Sequence, residues 1–594
     1  MQTKDFDNIH HMLKETVDTY GNTNAYKWFT QPGITDSVTW AQFYDQVLVV
    51  SKSLISLGIK KGDKVNILSY SCYKWILADF GIASIGACTV GIYHSNLSKD
   101  CQYIIDHCDA KIIFAQDEIQ LKKLYEIRKS IPDVVKVVVF DNYSGTDDWV
   151  ISFEDFLSLG KTISDKDLKM MVNAVTPQDP GAIVYTSGTT GVPKGAVLTN
   201  DNLTFTPQSV FHSVKLETGD ETFLFLPLAH VFAKTCVYTA LFAGACTTFA
   251  RDITTVIDDI KVTRPHWFAS VPRIYEKVHS KVISGAESKG GAALKIFKWA
   301  CATGEQVGEY KLDKKEIPFM LNLKYKLASK LVFSKIQAAL GGRVRWCISG
   351  AAPLDESIGK FFHAAGVLIV EGIGMTENTS FTNLNRYDNY RFGWVGQPGP
   401  QIEQKIADDG EVMYRGRSVM KEYYKMPEKT AETITSDGWQ HTGDLGEIDD
   451  ENFLKITGRK KDLIITAGGK NVAPSMIEGS MATSKYINQI CIVGDKRKYL
   501  SALISLDPET VPEYAQDNNI PFETLEDLMS NLKIIDLIQG EVEKKNKNFA
   551  RFETIKKVAI IPESTIENGL LTPTMKLKKS LVKKEYKTQI DAMY

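Results

Sequence analysis

Cysteine is scarce in this sequence, with nine residues among 594, and none of them forms a C-x-x-C pair. Cys101, His107 and Cys108 lie close together, but no second Cys/His pair accompanies them, so a partly buried helix explains them better than a zinc site does. So few thiols argue against a disulfide scaffold and favour a reducing compartment. We therefore expect a cytoplasmic protein whose cysteines are reduced.

A large charge of one sign is lacking as well. The chain has 70 Lys and Arg residues against 72 Asp and Glu, a formal net charge of −2. Its 43% of hydrophobic residues is ordinary for a globular protein, which excludes a disordered tail, a collagen-like repeat and a histone-like polycation. Nucleic acid is therefore not an expected partner, and any bound anion must be held by a local site.

Long hydrophobic runs are also missing. Residues 1–17 contain no apolar run and do not resemble a secretory signal. The weakly polar stretches 80–93 and 236–250 contain Gly, Ser or Thr and are too short to span a bilayer. These features predict a soluble protein and leave open a peripheral contact at the inner membrane surface.

Short apolar runs alternate with amphipathic stretches in the first part of the chain. Such runs, rich in β-branched residues, are typical of βαβ units and predict a parallel sheet. They are KVNILSY (64–70), KIIFAQ (111–116), VVKVVVF (134–140) and GAIVYTS (181–187). Near 455–465 a Gly- and Asp-rich β pattern gives way to mixed strands and helices, so we predict two domains, residues 1–459 and 460–594.

One further stretch, residues 321–340, has apolar residues at near-helical spacing and ends at Gly341-Gly342, which predicts a helix that stops there. Its apolar positions are Leu323, Leu327, Leu331, Ile336 and Leu340, and its lysines are Lys324, Lys326, Lys330 and Lys335. The lysines would suit a membrane surface. The sequence favours the simpler interpretation, in which they form the solvated face of a helix packed against its own domain.

The segment from Tyr185 to Gly195, YTSGTTGVPKG, concentrates groups that can bind phosphate. It offers four Ser and Thr hydroxyls, three glycines and one lysine within eleven residues. Glycines let backbone N–H groups approach an anion, and a lysine adds a compact positive charge. It differs from a Walker A loop because Lys194 precedes a glycine. We therefore predict a phosphate-binding loop formed by Thr186, Ser187, Gly188, Thr189, Thr190 and Lys194.

This loop resembles the phosphate loop of the adenylate-forming superfamily, which includes acyl-CoA synthetases, luciferases and nonribosomal-peptide adenylation domains. Five more segments resemble motifs of that superfamily and occur in the expected order. They are SGAAPL (349–354), EGIGMTE (371–377), DGWQHTGD (437–444), GRKKD (458–462) and LTPTMK (571–576). The resemblance implies an α/β fold. It has a large N-terminal domain of stacked, parallel-rich sheets with helices, a β-barrel-like subdomain and a small, mobile C-terminal α+β domain.

The resemblance also implies a two-step reaction in one active site. A carboxylate attacks the α-phosphate of ATP to give an acyl-adenylate and pyrophosphate, and a thiol then displaces AMP. Lys576 is implied as the catalyst of the first step, because its ammonium would meet the charge that develops between the two reactants. Thr376 would donate to the α-phosphate, and Glu377 would bind Mg²⁺, a cation that prefers carboxylate and phosphate oxygens.

The remaining implied roles concern the nucleotide and the thiol. Asp444 would accept hydrogen bonds from the ribose hydroxyls, and Arg459 would contact the ribose and phosphates. Lys461 would be the hinge between the domains. The adenine side would be formed by Gly350, Ala351 and Gly372, and the thiol tunnel by Gly468 and Gly469, where absent side chains admit a narrow pantetheine arm. Ile373 stands where many members have an adenine-stacking aromatic residue.

The acid substrate is indicated by a second group of segments, which resemble the long-chain fatty acyl-CoA synthetases. They are LPLAHVF (226–232), VPRIYEK (271–277), a helical insertion at about 285–345, and the stretch after GRKKD. His230 would flank the acyl carboxylate, with a buried structural histidine as the alternative. Trp267 and Tyr275 are candidates for the acyl pocket, and ordinary core positions are the alternative for each.

The resemblance therefore predicts a long-chain fatty acid–CoA ligase that uses ATP and Mg²⁺, with CoA as co-substrate and a fatty acid as partner. A stand-alone fatty acyl-AMP ligase that loads a carrier protein stays open, as does a medium-chain acyl-CoA ligase. A non-catalytic acyl- or nucleotide-binding protein is disfavoured because the motif residues are all present. Oligomeric state is left open, with a homodimer among the assemblies to be tested.

Overall fold

The computed structural model describes residues 3–186, 192–214, 216–572 and 574–594. Its strands, in chain order, are β1 (Asn24–Gln31), β2 (Ile34–Thr39), β3 (Lys64–Ser69), β4 (Cys88–Tyr93), β5 (Ala110–Ala115), β6 (Lys136–Val139), β7 (Val150–Ser152), β8 (Pro180–Thr186), β9 (Lys194–Thr199), β10 (Glu221–Leu224), β11 (Cys246–Phe249), β12 (Trp267–Ser270), β13 (Trp346–Ser349), β14 (Leu368–Ile373), β15 (Asn383–Leu384), β16 (Gln397–Pro398), β17 (Ile402–Ile406), β18 (Glu411–Gly416), β19 (Glu422–Tyr423), β20 (Gln440–Ile448), β21 (Leu454–Arg459), β22 (Ile464–Ile465), β23 (Asn471–Val472), β24 (Ile487–Val493), β25 (Leu500–Leu506) and β26 (Ile555–Ile560).

The α-helices are α1 (Ile9–Tyr20), α2 (Trp40–Ser56), α3 (Tyr73–Ser84), α4 (Ser98–His107), α5 (Glu118–Ile127), α6 (Phe153–Leu159), α7 (Asp165–Asn173), α8 (Asn200–Ser213), α9 (Val231–Phe242), α10 (Val256–Thr263), α11 (Pro272–Lys289), α12 (Gly291–Leu312), α13 (Phe319–Ala328), α14 (Ser334–Ala339), α15 (Glu356–Ala364), α16 (Pro427–Thr433), α17 (Pro474–Met481), α18 (Thr510–Asp517), α19 (Leu525–Met529), α20 (Leu532–Asn546), α21 (Lys579–Glu585) and α22 (Lys587–Ala592). Short 3-10 helices span Arg128–Ser130, Gly160–Thr162, Ile253–Thr255 and Thr376–Asn378, and a π-helical segment spans Ser329–Phe333.

Two large sheets form the N-terminal part of the molecule. One has the strand order β19-β9-β8-β4-β3-β5-β6-β7, and the other has the order β16-β15-β14-β13-β12-β10-β11-β1-β2. The four apolar runs that predicted parallel strands form β3, β5, β6 and β8, and neighbouring strands in the centre of this sheet are parallel. The prediction of βαβ units and a parallel sheet is therefore confirmed.

The largest hydrophobic core lies between these sheets. It contains side chains of β3 such as Val65 and Ile67, of β12 and β13 such as Trp267 and Trp346, and of the helices α1, α2, α3, α8 and α9. It also includes Tyr414 of a four-stranded antiparallel sheet with the order β17-β18-β20-β21. This sheet corresponds to the predicted barrel-like subdomain.

Residues beyond β21 form separate hydrophobic clusters of their own. The three-stranded sheet β24-β25-β26 packs with α17, α18 and α20, and α21 covers a second cluster that includes Val582. The architecture of a large parallel-rich part, a barrel-like sheet and a small α+β unit is thus confirmed. The boundary between residues 459 and 460, and the mobility of the small domain, stay predictions.

The stretch predicted as a helix over 321–340 is interrupted. It consists of α13, the π-helical segment and α14, and it ends before Gly341 and Gly342, whose φ angles are +91° and +82°. Ile336 and Leu340 are buried, whereas Leu323, Leu327 and Leu331 are exposed. Since a π turn contains an extra residue, apolar positions on its two sides do not continue one α-helical face. Among the described helices, none is long and apolar enough to cross a membrane.

Candidate functional site

The carboxyl edge of the nine-stranded sheet brings three predicted segments together. β12, β13 and β14 are parallel neighbours, with Ser270 opposite Ser349 and Ser349 opposite Glu371. Residues that follow such strand ends lie side by side, which is where ligands commonly bind in α/β folds. Gly350 and Ala351 therefore lie beside Gly372, and they line the same cavity.

This cavity is lined mainly by apolar side chains. Polar groups and loop backbone contribute to its wall through His230, Gly350, Ala351 and Gly372. Much of the remaining wall is apolar and comes from α8, α9 and the strands β12 and β13, including Val210, Val214, Phe232, Cys236, Trp267, Trp346 and Ile348. The cavity thus joins the predicted adenine loops to an apolar space suited to an alkyl chain.

Two tryptophans form part of the apolar wall. Trp267 and Trp346 lie opposite each other on β12 and β13, and their rings stack with centroids 5.2 Å apart and planes at 15°. Both are 1% exposed and line the cavity. The structure thus brings Trp267 to the pocket for which it was a candidate. Trp346 was missed, although its position three residues before the SGAAPL segment was a usable signal.

Tyr275 lies elsewhere. Its hydroxyl donates to the carbonyl of Ile348 at 2.9 Å, and its ring packs against Phe268 and Phe362 in a different hydrophobic cluster. It is not among the residues that line the cavity. The structure does not bring Tyr275 to the pocket, because β12 separates its cluster from the cavity, and the ordinary core position fits its surroundings.

His230 caps the amino end of α9. Its Nδ1 accepts a hydrogen bond from the backbone N–H of Phe232 at 3.1 Å. Burial and, to a smaller extent, the nearby Lys576 together lower the pKa of His230 to about 4. The imidazole is therefore neutral near pH 7, with its proton on Nε2, because Nδ1 acts as an acceptor. This nitrogen can donate to a carboxylate.

Asp444 and Arg459 form a pair across the strands β20 and β21. They are register partners, and Arg459 Nε donates to Asp444 Oδ1 at 2.9 Å. Burial raises the pKa of Asp444, an effect that Arg459 and then Lys576 oppose. Arg459 uses Oδ1, so the second oxygen of Asp444 can accept from another donor. The antiparallel pairing of β20 with β21 thus explains how these two predicted residues meet.

Lys576 reaches this cluster from the C-terminal unit. Its loop is closed by the backbone N–H of Lys576, which donates to Thr572 Oγ1 at 3.0 Å, and by the N–H of Thr572, which donates to the Lys576 carbonyl at 2.8 Å. Surrounding protein atoms lower the pKa of Lys576, Arg459 lowers it further, and Asp444 opposes the shift. The structure therefore brings Lys576, Asp444, Arg459 and His230 together.

The phosphate loop begins and ends on paired strands. Thr186 is the last residue of β8 and pairs with Lys194, the first residue of β9. Ser187, Gly188, Thr189 and Thr190 lie outside the described residues. Lys194 Nζ lies 3.9 Å from the ring centroid of Tyr423, and burial lowers its pKa while Glu377 opposes the shift. The two ends of the loop, Thr186 and Lys194, are thus held by strand pairing, and Lys194 lies near Glu377.

Thr376 and Glu377 lie in a short 3-10 helix after β14, and both are buried. Glu377 Oε1 accepts a hydrogen bond from the hydroxyl of Tyr423. Gly374 is required nearby, because a side chain there would meet the backbone of Ser380 at 2.1 Å. Sequence reasoning missed Tyr423, which contacts both Lys194 and Glu377, since no motif surrounds it.

Besides Tyr275, the predicted hinge and thiol-tunnel residues do not line the cavity. Lys461 is exposed in the turn after β21, close enough to lower the pKa of Lys194. Gly468 and Gly469 are exposed at the tip of the β22–β23 hairpin, where Gly469 has a φ of +73°. Neither glycine is among the residues that line the cavity.

Comparison with known proteins places this geometry in a family. The AMP-binding enzyme model matches residues 13–424, and the AMP-binding enzyme C-terminal domain matches residues 461–594. The long-chain-fatty-acid–CoA ligase FadD15 of Mycobacterium tuberculosis is 34% identical over 566 residues, which cover 95% of this chain and 93% of that protein. The long-chain-fatty-acid–CoA ligase ACSBG2 of Homo sapiens is 31% identical over 636 residues, covering 99% and 92%.

Solved structures agree on the fold. The adenylation domain of the carboxylate reductase from Mycobacterium chelonae superimposes with a TM-score of 0.80 at 20% identity, covering 100% of this chain and 92% of that one. The anthranilate CoA ligase AuaEII, solved with anthranoyl-AMP, gives 0.72 at 20% identity, with 97% of each chain covered. The family matches span most of the chain, so this protein belongs to the AMP-binding enzymes.

Proposed function

We propose that this protein is a long-chain fatty acid–CoA ligase that forms an acyl-adenylate and then transfers the acyl group to CoA. The observation that carries the proposal is a cavity in which His230 and the loops at Gly350 and Gly372 adjoin an apolar wall. The printed activity of FadD15 and ACSBG2, which match nearly the whole chain, supports the same substrate class.

In the first step, a carboxylate oxygen of the fatty acid bonds to the α-phosphorus of ATP, and the bond to the bridging oxygen of pyrophosphate breaks. His230 Nε2 donates to the carboxylate and orients it. Lys576 balances the negative charge that accumulates as the two anions meet, and Thr376 donates to the α-phosphate. The proximity of Lys576 to His230, seen in its effect on the His230 pKa, supports this division of roles.

The nucleotide is held by the loops that line the cavity and by the pair of Asp444 and Arg459, which lies near Lys576. The ribose hydroxyls donate to the free carboxylate oxygen of Asp444, and Arg459 orients that carboxylate through the 2.9 Å hydrogen bond. Gly350, Ala351 and Gly372 offer backbone to the adenine side. Ile373 lines the cavity and provides an apolar contact where a stacking ring is absent.

Glu377 is the residue that would hold Mg²⁺. In the described part of the chain, no group of three or more His, Cys, Asp and Glu side chains is arranged as a metal site. One carboxylate nevertheless fits Mg²⁺, which is commonly held by one or two carboxylates together with substrate phosphates and water. The ion would neutralise phosphate charge. Lys194, beside Glu377, would add a further positive charge from the protein.

The second step needs a different arrangement of the C-terminal unit. The sulfur of CoA bonds to the acyl carbon, the bond between that carbon and the AMP oxygen breaks, and the thiol proton leaves. Gly468 and Gly469 would line the thiol path, but they lie away from the cavity in the structure. A rotation at Lys461 would bring their loop toward the adenylate and withdraw Lys576.

A product assay tests the proposal. The full-length protein is incubated with Mg-ATP and fatty acids of four to eighteen carbons, with and without CoA, and products are identified by mass spectrometry. We expect acyl-CoA and AMP, with the highest yield from acids of twelve or more carbons. Acyl-AMP that accumulates whether or not CoA is present would instead indicate a ligase that loads a carrier protein. A maximum at shorter acids would indicate a medium-chain ligase.

A further inference from the structure

An apolar row lies exposed on α13 and the π-helical segment after it. The exposed fractions are 81% for Phe319, 62% for Met320, 54% for Leu323, 51% for Leu327 and 43% for Leu331. Such a concentration of large apolar side chains in one short segment differs from single exposed residues, which are common on protein surfaces. We call these five residues the α13 face.

The α13 face is held in place by its own domain. α13 packs against α12, and Ala328, Phe333, Ile336 and Leu340 on the inner side are buried. The exposed row is therefore presented on an anchored helix. Two side chains of α12, Ile296 and Trp299, are exposed as well.

Positive charge flanks the row. Lys324 directly follows Leu323 and Lys326 directly precedes Leu327, so each lies about 100° around the helix, on opposite sides of the row. Lys330 and Lys335 continue the pattern, and residues 317–354 contain no Asp or Glu. All four lysines are exposed, and within the described residues none of them has an ion-pair partner.

We propose that the α13 face docks on the surface of an anionic lipid bilayer. Apolar side chains on an anchored helix can enter the headgroup boundary while flanking lysines contact anionic lipids, which is how an amphipathic helix binds in the plane of a membrane. A second copy of this chain fits less well, because a twofold-symmetric contact would bring like-charged lysines together. The proposal goes beyond the proposed function, since it concerns where the enzyme meets a lipid phase and requires no catalytic step.

Vesicle flotation with the full-length protein tests this docking. One set of vesicles contains phosphatidylcholine and phosphatidylglycerol in a three-to-one ratio, and the other contains phosphatidylcholine alone. We expect the protein to float with the anionic vesicles, and binding to weaken as salt is added. The triple variant Phe319→Ser/Leu323→Ser/Leu327→Ser should bind about tenfold or more weakly, because it removes the apolar contacts.

Two further variants separate the contributions. Lys324→Gln/Lys326→Gln/Lys330→Gln should reduce the preference for anionic vesicles. Leu532→Ser, a change of an equally exposed apolar residue outside the α13 face, should bind as the unmodified protein does. The proposal is overturned if the unmodified protein stays with the soluble fraction, or if the triple serine variant floats equally well. It is also overturned if the apolar substitutions dissociate a dimer instead of releasing vesicles. We expect all variants to keep the ligase activity of the unmodified protein on soluble acids. If the unmodified protein lacked this activity, the proposed function would be contradicted, and the docking proposal would still be decided by the vesicle experiment.

Discussion

At the scale of single residues, the candidate site depends on side chains whose ionisation is set by their surroundings. His230 and Lys576 come from different structural units, and in each the surrounding protein disfavours the charged form, although the Lys576 side chain is exposed. Asp444 is affected in the same sense, with Arg459 opposing the effect of burial. A carboxylate substrate entering between these groups would meet one neutral donor and two cations.

Replacing Lys576 should separate the two half-reactions. In Lys576→Ala, acyl-AMP formation should fall about a hundredfold to a thousandfold, because a group that balances transition-state charge is lost. Thioester formation from supplied acyl-AMP should change far less. Pyrophosphate release and acyl-CoA formation measure the two steps, with Lys584→Ala on the exposed side of α21 as control. Equal loss in both steps would contradict the role of Lys576.

The pH dependence of adenylation should not report the ordinary pKa of a histidine. Because burial lowers the pKa of His230 to about 4, the imidazole remains neutral as pH falls from 7 to 5 and protonates only near pH 4. The rate of acyl-AMP formation should therefore show no His230 ionisation near pH 6.5. A decline near pH 6.5 that disappears in His230→Gln would contradict this assignment.

At the scale of elements, α9 connects the cavity to the core. His230 lies at its amino end, while Lys234 and Tyr238 project from it toward α3. Lys234 Nζ donates to both oxygens of Asp79, at 2.5 and 2.6 Å, and the Tyr238 hydroxyl donates at 2.8 Å. Both charges are almost fully buried, so this pair fixes how α9 sits on α3.

Replacing one partner of this ion pair should destabilise the protein more than replacing both partners. Lys234→Met should lower the free energy of unfolding by about 3–5 kcal/mol, because it leaves the Asp79 charge buried without its cation. The double variant Lys234→Met/Asp79→Leu should recover most of the loss, since apolar replacement of a buried pair is often neutral. Denaturant unfolding measures both, and Lys14→Met, from an exposed pair with Asp18, is the control. A double variant no more stable than the single one would contradict the interpretation.

At the scale of the whole molecule, contacts between α11 and the C-terminal unit accompany the approach of Lys576 to the cavity. Arg273 Nη2 donates to Asn488 Oδ1 at 2.9 Å, and Lys485 lies 3.6 Å from Glu287. Asn488 is in turn held by Glu563 at 2.8 Å. We expect these contacts to favour the arrangement proposed for the first step.

Loosening this interface should slow the first step selectively. Arg273→Gln should reduce acyl-AMP formation about fivefold, the effect of losing one hydrogen bond of about 1 kcal/mol. Transfer from supplied acyl-AMP to CoA should be unaffected or faster. Lys277→Gln, an exposed change on the same helix, should leave both rates unaltered. If Arg273→Gln slowed both half-reactions equally, the contact would not favour one arrangement over the other.

Most of the correct predictions came from patterns among residues that are close together in the sequence. The apolar runs at 64–70 and 111–116 predicted strands because strand periodicity is local, and the structure has β3 and β5 there. Two of the six motif segments, SGAAPL and EGIGMTE, likewise supply loop residues such as Gly350 and Gly372 to the cavity wall. Tyr423 could not be found in this way, because it matters through Glu377, a neighbour distant in sequence. Trp346 had a local signal, its position just before SGAAPL, but its stacking partner Trp267 is distant in sequence.

The stretch over 321–340 shows what local spacing could not predict. Its spacing predicted a helix that stops at Gly341, and the chain does so, but which leucines are buried depended on the π turn and on packing against α12. Tyr275 is a second example. Its motif made it a candidate for the acyl pocket but did not reveal on which side of β12 it lies.

The amino-acid sequence by itself determined the alternation of strands and helices, the glycine- and hydroxyl-rich loops and the identity of the charged groups, because these depend on neighbours within a few residues. Only the tertiary structure decided that Lys576 meets His230 and Asp444, that Trp346 completes the apolar wall, and that Leu323 and Leu327 face outward. The physical reason is that burial, ionisation and exposure are set by atoms brought together across hundreds of residues.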